Sequence, residues 1–191
     1  MDAPTVRSVN VGTPRSVHYR GRTVTTSIWK HPVAGRVVVG PFGLQGDEQS
    51  DRVGHGGAQK SVYAYPAAHY PAWRERLGVD DLPWGSLGEN LTVDGLEERS
   101  VHPGDHLRIG TAELAITQPR WPCFKLNVRF DREDLIRLFE TAGDSGFYCT
   151  VVRAGSIGAG DPIDLRHGPD CSRSIHTIFR ERTGPAAAEP G

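Results

Sequence analysis

The stretch Gln118-Pro119-Arg120-Trp121-Pro122-Cys123-Phe124-Lys125 is the most informative for chemistry in this 191-residue chain. It follows a strand-like run at 113–117. Its two prolines lack backbone donors and stop the chain from continuing as a paired central strand, so Cys123 is expected in a rigid loop at a strand end. Arg120 and Lys125 flank the thiol. Their charges would favour the thiolate, which is the form that acts as a nucleophile or as a soft-metal ligand. The competing reading is a small buried hydrophobe beside Phe124. The fixed prolines and the two cations favour function.

A second candidate is the stretch Gly46-Asp47-Glu48-Gln49-Ser50-Asp51-Arg52-Val53-Gly54-His55-Gly56-Gly57-Ala58-Gln59-Lys60. Glycines around a histidine let backbone N–H groups approach an anion, and His55 and Lys60 add donors and charge. A β-rich chain also needs such glycines simply as turns. In a third, Gly85-Ser86-Leu87-Gly88-Glu89-Asn90-Leu91, Gly88 would admit close backbone approach and Asn90 offers both a donor and an acceptor. A plain turn into a strand explains that stretch equally well.

Other residues read as structural. Cys149 shares a strand face with Phe147 and Val151 and is expected in the core. Cys171 lies in a polar tail and is expected to be incidental. His102 and His106 are four apart, but Pro103 and Gly104 between them rule out a helix that would put both on one face, so no conventional histidine metal site is expected.

The elements that must position these residues are short. Twenty-three glycines and fourteen prolines are spread through the chain, which is the punctuation of a β-rich fold. Strand character is found at 6–11, 23–29, 36–39, 61–65, 91–93, 107–109, 113–117, 147–152 and 163–165. Two strands open alike, on Gly104-Asp105 and on Gly160-Asp161, and these predict equivalent corners of a curled sheet. Many short antiparallel strands with glycine corners predict a mainly β fold with peripheral helices, closed or nearly closed into a barrel. A helix is predicted after an N-cap at Asp131-Arg132-Glu133-Asp134, with Leu135, Leu138 and Phe139 on one stripe and Gly143 as its stop. Tyr70, Trp73 and Leu77 predict another, which begins at Pro71 or kinks there. Ile175, Ile178 and Phe179 make one further stripe. Residues 1–167 are read as one barrel domain and 168–191 as a short helical, partly disordered tail.

The charge is balanced, with 22 basic residues against 23 acidic ones, so stable nucleic-acid binding is not expected. No apolar run approaches the roughly 18 residues of a membrane helix, and Met1-Asp2-Ala3-Pro4 does not open a signal peptide. The expectation is a cytoplasmic protein with no membrane partner. Three cysteines at wide spacings fit neither a disulfide framework nor a cysteine-based zinc site.

Taken together, Gly43-Leu44-Gln45-Gly46-Asp47, His55-Gly56-Gly57 with Lys60, Val62-Tyr63-Ala64-Tyr65-Pro66, Gly88-Glu89-Asn90-Leu91, the Gly104-Asp105 corner, Gln118-Pro119-Arg120 followed by Pro122-Cys123-Phe124-Lys125, and Gly146-Phe147-Tyr148 resemble the MOSC family, named for the C-terminal domain of molybdenum cofactor sulfurase. The likeness is strongest to its bacterial YiiM-type branch and runs from about residue 9 to residue 161. The resemblance implies a MOSC-type β-barrel that binds the molybdenum cofactor (molybdopterin) in a cleft, with the Cys123 thiolate on the metal. It further implies reduction of small N-hydroxylated compounds such as N-hydroxylated nucleobases, with electrons from a separate reductase. The cofactor phosphate would be held through Lys30, His55 and Arg120, with Gly56, Gly57, Lys60, Gly88, Asn90 and Gln118 completing the binding residues. The metal and pterin would carry the chemistry, while the protein binds, orients and excludes competing reactions. The helical C-terminal region of YiiM-type chains is reduced here to about one stripe, and a homodimer contact stays open. Two other functions share the same residues: a cofactor carrier or sulfur-transfer protein, and a metal-free thiol enzyme using Cys123.

Overall fold

Alternating burial along short strands builds the protein, which a computed structural model describes over residues 3–48 and 57–184. In chain order these elements are β1 (Thr5–Val11), β2 (Arg15–Tyr19), β3 (Arg22–Thr26), β4 (His31–Pro32), β5 (Arg36–Gly40), β6 (Gly43–Leu44), β7 (Val62–Pro66), α1 (Tyr70–Leu77), β8 (Leu91–Asp94), β9 (His106–Ile109), β10 (Ala112–Pro119), α2 (Phe124–Phe130), α3 (Leu135–Ala142), β11 (Phe147–Arg153), β12 (Gly155–Gly158), β13 (Ile163–Arg166) and α4 (Ile175–Thr183). Eight strands form one sheet in the order β13-β9-β10-β11-β7-β8-β1-β4. Its pairs are antiparallel except β7 with β8, whose connection passes through α1, as a parallel crossover requires.

The sheet curls until its two sides touch. Thr5 bridges Pro162, Val6 N donates to Asp161 O at 2.9 Å, and Ile163 N donates to Pro4 O at 2.8 Å. The result is a mainly β half-barrel with peripheral helices, in which curling leaves little unpaired edge. Val9, Val62, Leu107, Ile109, Leu114, Ile116, Phe147 and Cys149 fill its interior. A second apolar cluster lies between the sheet and the helices, where Trp73 of α1 stacks on Phe139 of α3 at 4.2 Å between ring centres. Trp73 also donates its Nε1 proton to Tyr65 Oη at 2.6 Å.

The two glycine corners are equivalent, as expected. Gly104 and Gly160 sit at φ +89° and +87°, and in each corner the next aspartate accepts the backbone N–H three residues back, Asp105 from His102 and Asp161 from Gly158. All nine expected strands are present, although the one expected at 23–29 ends at Thr26. Four were not legible. β2 is half exposed and polar and exists as a self-contained hairpin with β3, while β4, β6 and β12 are very short or built on glycine and proline.

The helices differ in one instructive way. α1 starts at Tyr70 with Pro71 in its first turn, and Gly143 ends α3 at φ +78°. The cap of α3, however, is Asp134, because Asp131 is already used as the left-handed residue (φ +49°) that closes the unexpected helix α2. In α4, Ile175 and Phe179 are buried and Ser174 Oγ caps the helix by accepting Thr177 N–H.

Cys149 is fully buried in the barrel core, and burial pushes its thiol pKa far up, so it stays neutral. Replacing Cys149 with Ala is expected to lower unfolding free energy by about 1 kcal/mol, read from urea denaturation, with no change in the cleft described below.

Candidate functional site

The open cleft between the half-barrel and the helices collects side chains from distant parts of the chain. Lys30, Lys60, Gly88, Asn90, Arg120 and Cys123 all line it, together with Ser27, Asp47, Tyr63, Trp121, Lys125 and Tyr148. Gln118 does not; it sits on β10 opposite Tyr148 of β11. Gly57 lines a neighbouring depression beside Phe42 and Leu44. His55 and Gly56 lie outside the described residues.

Arg120 leaves the end of β10 immediately after Pro119, and its side chain is only 5% exposed. The guanidinium is flanked by the rings of Tyr63 and Phe139, at 5.5 and 5.6 Å from their centres. Its Nη1 has no hydrogen-bond partner among the described residues. Burial alone would weaken its protonation, but Tyr63, Cys123 and Tyr148 outweigh that and hold its pKa above the usual value. Burial also raises the pKa of the Tyr63 and Tyr148 hydroxyls, so both remain protonated near neutrality. A buried cation with an unmet donor is costly unless an anion completes it. Ser27 Oγ, in the same cleft, is likewise buried without a partner among the described residues.

A single carboxylate organises the opposite wall. Asp47 Oδ1 accepts from the Lys30 ammonium and from Gly12 N at 2.9 Å, and its Oδ2 accepts from Asn90 Nδ2 at 2.9 Å. Asn90 Oδ1 in turn accepts Tyr63 N–H at 3.1 Å. Asn90 therefore joins β7 to the Asp47 network. Gly88 stands at φ +88° with Ile28 packed where its Cβ would lie, so the close approach there comes from Ile28. Below it, the fully buried Glu89 accepts from Tyr70 Oη, from Gly85 N at 2.8 Å and from Thr92 Oγ1 at 2.9 Å. Burial pushes the pKa of Lys30 down, against the pull of Asp47 and Glu89. Neither Asp47 nor Glu89 was singled out as a site residue, although both stand inside the quoted motifs next to glycines. An acidic residue beside a motif cation was the available signal.

Cys123 is half-buried with extended backbone, and α2 begins at the next residue. The expected strand-end loop is thus only four residues long before it turns into a helix. Trp121 in that loop stacks on Phe179 of α4 at 5.3 Å and 15°, and Arg182 lies 4.4 Å from the Trp121 ring centre. The last helix therefore braces the cysteine loop from outside.

Two outcomes test this wall and its support. Asp47→Asn should destabilise the fold by roughly 3 kcal/mol in urea denaturation, because it leaves the Lys30 ammonium buried without its counter-charge and sets one amide N–H₂ against another. The second concerns Glu98, whose carboxylate accepts Gly146 N at 2.6 Å and pairs with His69 Nε2 at 2.9 Å, while Gly146 O receives the Arg120 N–H. Burial opposes a charged His69, but Glu98, Asp144 and Glu97 prevail and raise its pKa above 6.5. That contribution to stability is complete below the unfolded value and is lost as pH rises through the folded one. His69→Gln should accordingly cost more stability at about pH 5.5 than at about pH 9 in thermal unfolding.

Among the described residues no helix is long and apolar enough to cross a membrane. The MOSC domain family model matches residues 51–164. YflK of Bacillus subtilis is 39% identical over 160 residues, which cover 84% of this chain and 72% of that protein. A protein named reductase from Gibberella moniliformis is 36% identical over 163 residues; they cover 84% of this chain but only 29% of its length. The crystal structure of YiiM from Geobacillus stearothermophilus superposes with a TM-score of 0.77 at 35% identity, covering 95% of this chain and 84% of that one. A family match over more than half the chain, joined to this fold likeness, shows that the chain belongs to the MOSC domain family and is of the YiiM type.

Proposed function

We propose that the chain is a molybdenum-cofactor-binding oxidoreductase that reduces N-hydroxylated compounds, N-hydroxylated nucleobases among them, with the Cys123 thiolate as protein ligand to molybdenum. MOSC domains as a family bind molybdopterin-type cofactors, and a relative carries the name reductase. The observation that carries the reading is the buried Arg120 Nη1, which lacks a partner among the described residues and lies in the cleft that Cys123 also lines. A cofactor phosphate fits that donor and would form charge-assisted hydrogen bonds with it.

The other lining residues fit the same group. Negative charge beside Lys30 would favour its protonated form against the burial that disfavours it, and Lys60 adds a second ammonium. Asp47 and Asn90 hold Lys30 in place. His55 and Gly56 are assigned to the same anion, and Gly57 and Gln118, which stand outside the cleft lining, to support of its neighbouring segments. When bound, the cofactor supplies a two-electron couple at a metal held by dithiolene sulfurs, to which a cysteine thiolate is a suitable soft ligand. Trp121 and Phe179 keep the Cys123 loop in place, and the protonated Tyr148 hydroxyl offers a donor at the cleft wall, whereas the Tyr63 hydroxyl is spent on Ser145 O at 2.9 Å. Electrons come from a separate reductase.

Molybdenum content, pterin content and donor-linked turnover of an N-hydroxylated purine should be measured on protein from a cofactor-competent host. Cys123→Ser should lose turnover while retaining much of the pterin, since a protonated hydroxyl poorly replaces a soft thiolate. Arg120→Ala should lower cofactor affinity by about tenfold to a hundredfold, the worth of a charged hydrogen bond. Full turnover in Cys123→Ser overturns the assignment, and loss of turnover in protein that never held molybdenum replaces it with a thiol enzyme.

A further inference from the structure

Outside the cleft, the two equivalent corners of the half-barrel are completed differently. At Asp161 the carboxylate is gripped by the guanidinium fork of Arg36, at 2.9 and 3.0 Å. At Asp105, whose side chain is fully buried, the ion-pair partners among the described residues are two imidazoles: His102 Nδ1 at 3.4 Å and His167 Nδ1 at 3.1 Å from the same Oδ2. Asp105 Oδ1 is taken by Gly168 N–H at 2.9 Å, which fixes the carboxylate against the segment that follows β13. Cys171 closes the group. Its Sγ and one atom from each of His102, Asp105 and His167 all lie within 4.8 Å of one another.

These four residues, two histidines, an aspartate and a cysteine, are a zinc donor set. Tetrahedral zinc with bonds of about 2.0–2.3 Å places its ligand atoms about 3.3–3.8 Å apart. The two histidine–aspartate separations are close to that size, and the remaining ligand-atom pairs, all within 4.8 Å, need close by no more than about 1.5 Å, which the exposed His167 and Cys171 can supply. Asp105 is oriented by backbone N–H groups of His102 and Gly168, the kind of outer partner that holds a ligating carboxylate. None of the four residues lines the cleft at Cys123.

We propose that His102, Asp105, His167 and Cys171 bind one zinc-class divalent ion, independently of the molybdenum reading. Each ligand donates an electron pair, the Cys171 thiol gives its proton to solvent, and no atom changes oxidation state. The ion fastens the chain after β13 to the corner before β9, close to where that chain enters α4.

The purified full-length chain is titrated with zinc chloride under equilibrium dialysis and then with cobalt chloride, whose thiolate charge-transfer absorption reports sulfur ligation. The parent and Cys123→Ser should each bind a single equivalent with equal affinity. His167→Ala and Cys171→Ser, both at exposed positions, should lose more than the roughly tenfold to hundredfold that removal of an outer-shell partner costs, and the cobalt–sulfur band should vanish in Cys171→Ser. Circular dichroism checks that the variants remain folded. The proposal fails if the parent binds less than an equivalent, if His167→Ala or Cys171→Ser binds as tightly as the parent, or if the cobalt–sulfur band is lost in Cys123→Ser instead.

Discussion

The cleft depends on one buried carboxylate. Asp47 holds the Lys30 ammonium, the Gly12 amide and the Asn90 side chain at once, so three chain segments far apart in sequence converge on two oxygen atoms. The ion pair is almost wholly buried, with 9% and 6% side-chain exposure. Such a pair stabilises little relative to well-packed apolar residues, yet breaking it is expensive, so its main effect is to fix geometry. Asn90 carries that geometry into β7 through Tyr63 N–H, and the ring of Tyr63 flanks Arg120. One network thus spaces the cations of the two walls.

The two buried cations of the cleft are compensated differently among the described residues. Lys30 is compensated by Asp47, whereas Arg120 is surrounded by aromatic rings and by hydroxyls that burial keeps protonated. Aromatic faces hold a guanidinium in position without satisfying its in-plane donors. An anionic ligand would meet a donor already oriented, with little rearrangement to oppose its binding.

Much of this was legible in the chain. Proline and glycine punctuation and two-residue alternation revealed nine strands, and the Gly-Asp repeat revealed the corners, because those signals act locally. Cys123 and Arg120 were visible through the prolines around them. What escaped depends on contacts distant in sequence. α2 follows Cys123 with a modest apolar pattern and takes its stability from Leu126 packed into the helical cluster, which no local signal reports. Asp47 reads as one turn aspartate among several until its three partners are seen together. The spatial neighbours of Cys171, His102 and Asp105, are almost seventy positions upstream in the chain and are invisible from its local sequence.

The contact that closes the half-barrel, Thr5 with Pro162, joins nearly the first described strand to nearly the last. Pairings of such sequence separation are slow to form, since a long loop must be ordered before they contribute. During synthesis β1 can pair with β4 and β8 early, but the closing contact has to wait until the chain through Pro162 has emerged from the ribosome. A group that bound only to the closed half-barrel would accordingly enter after the chain through Pro162 had been made.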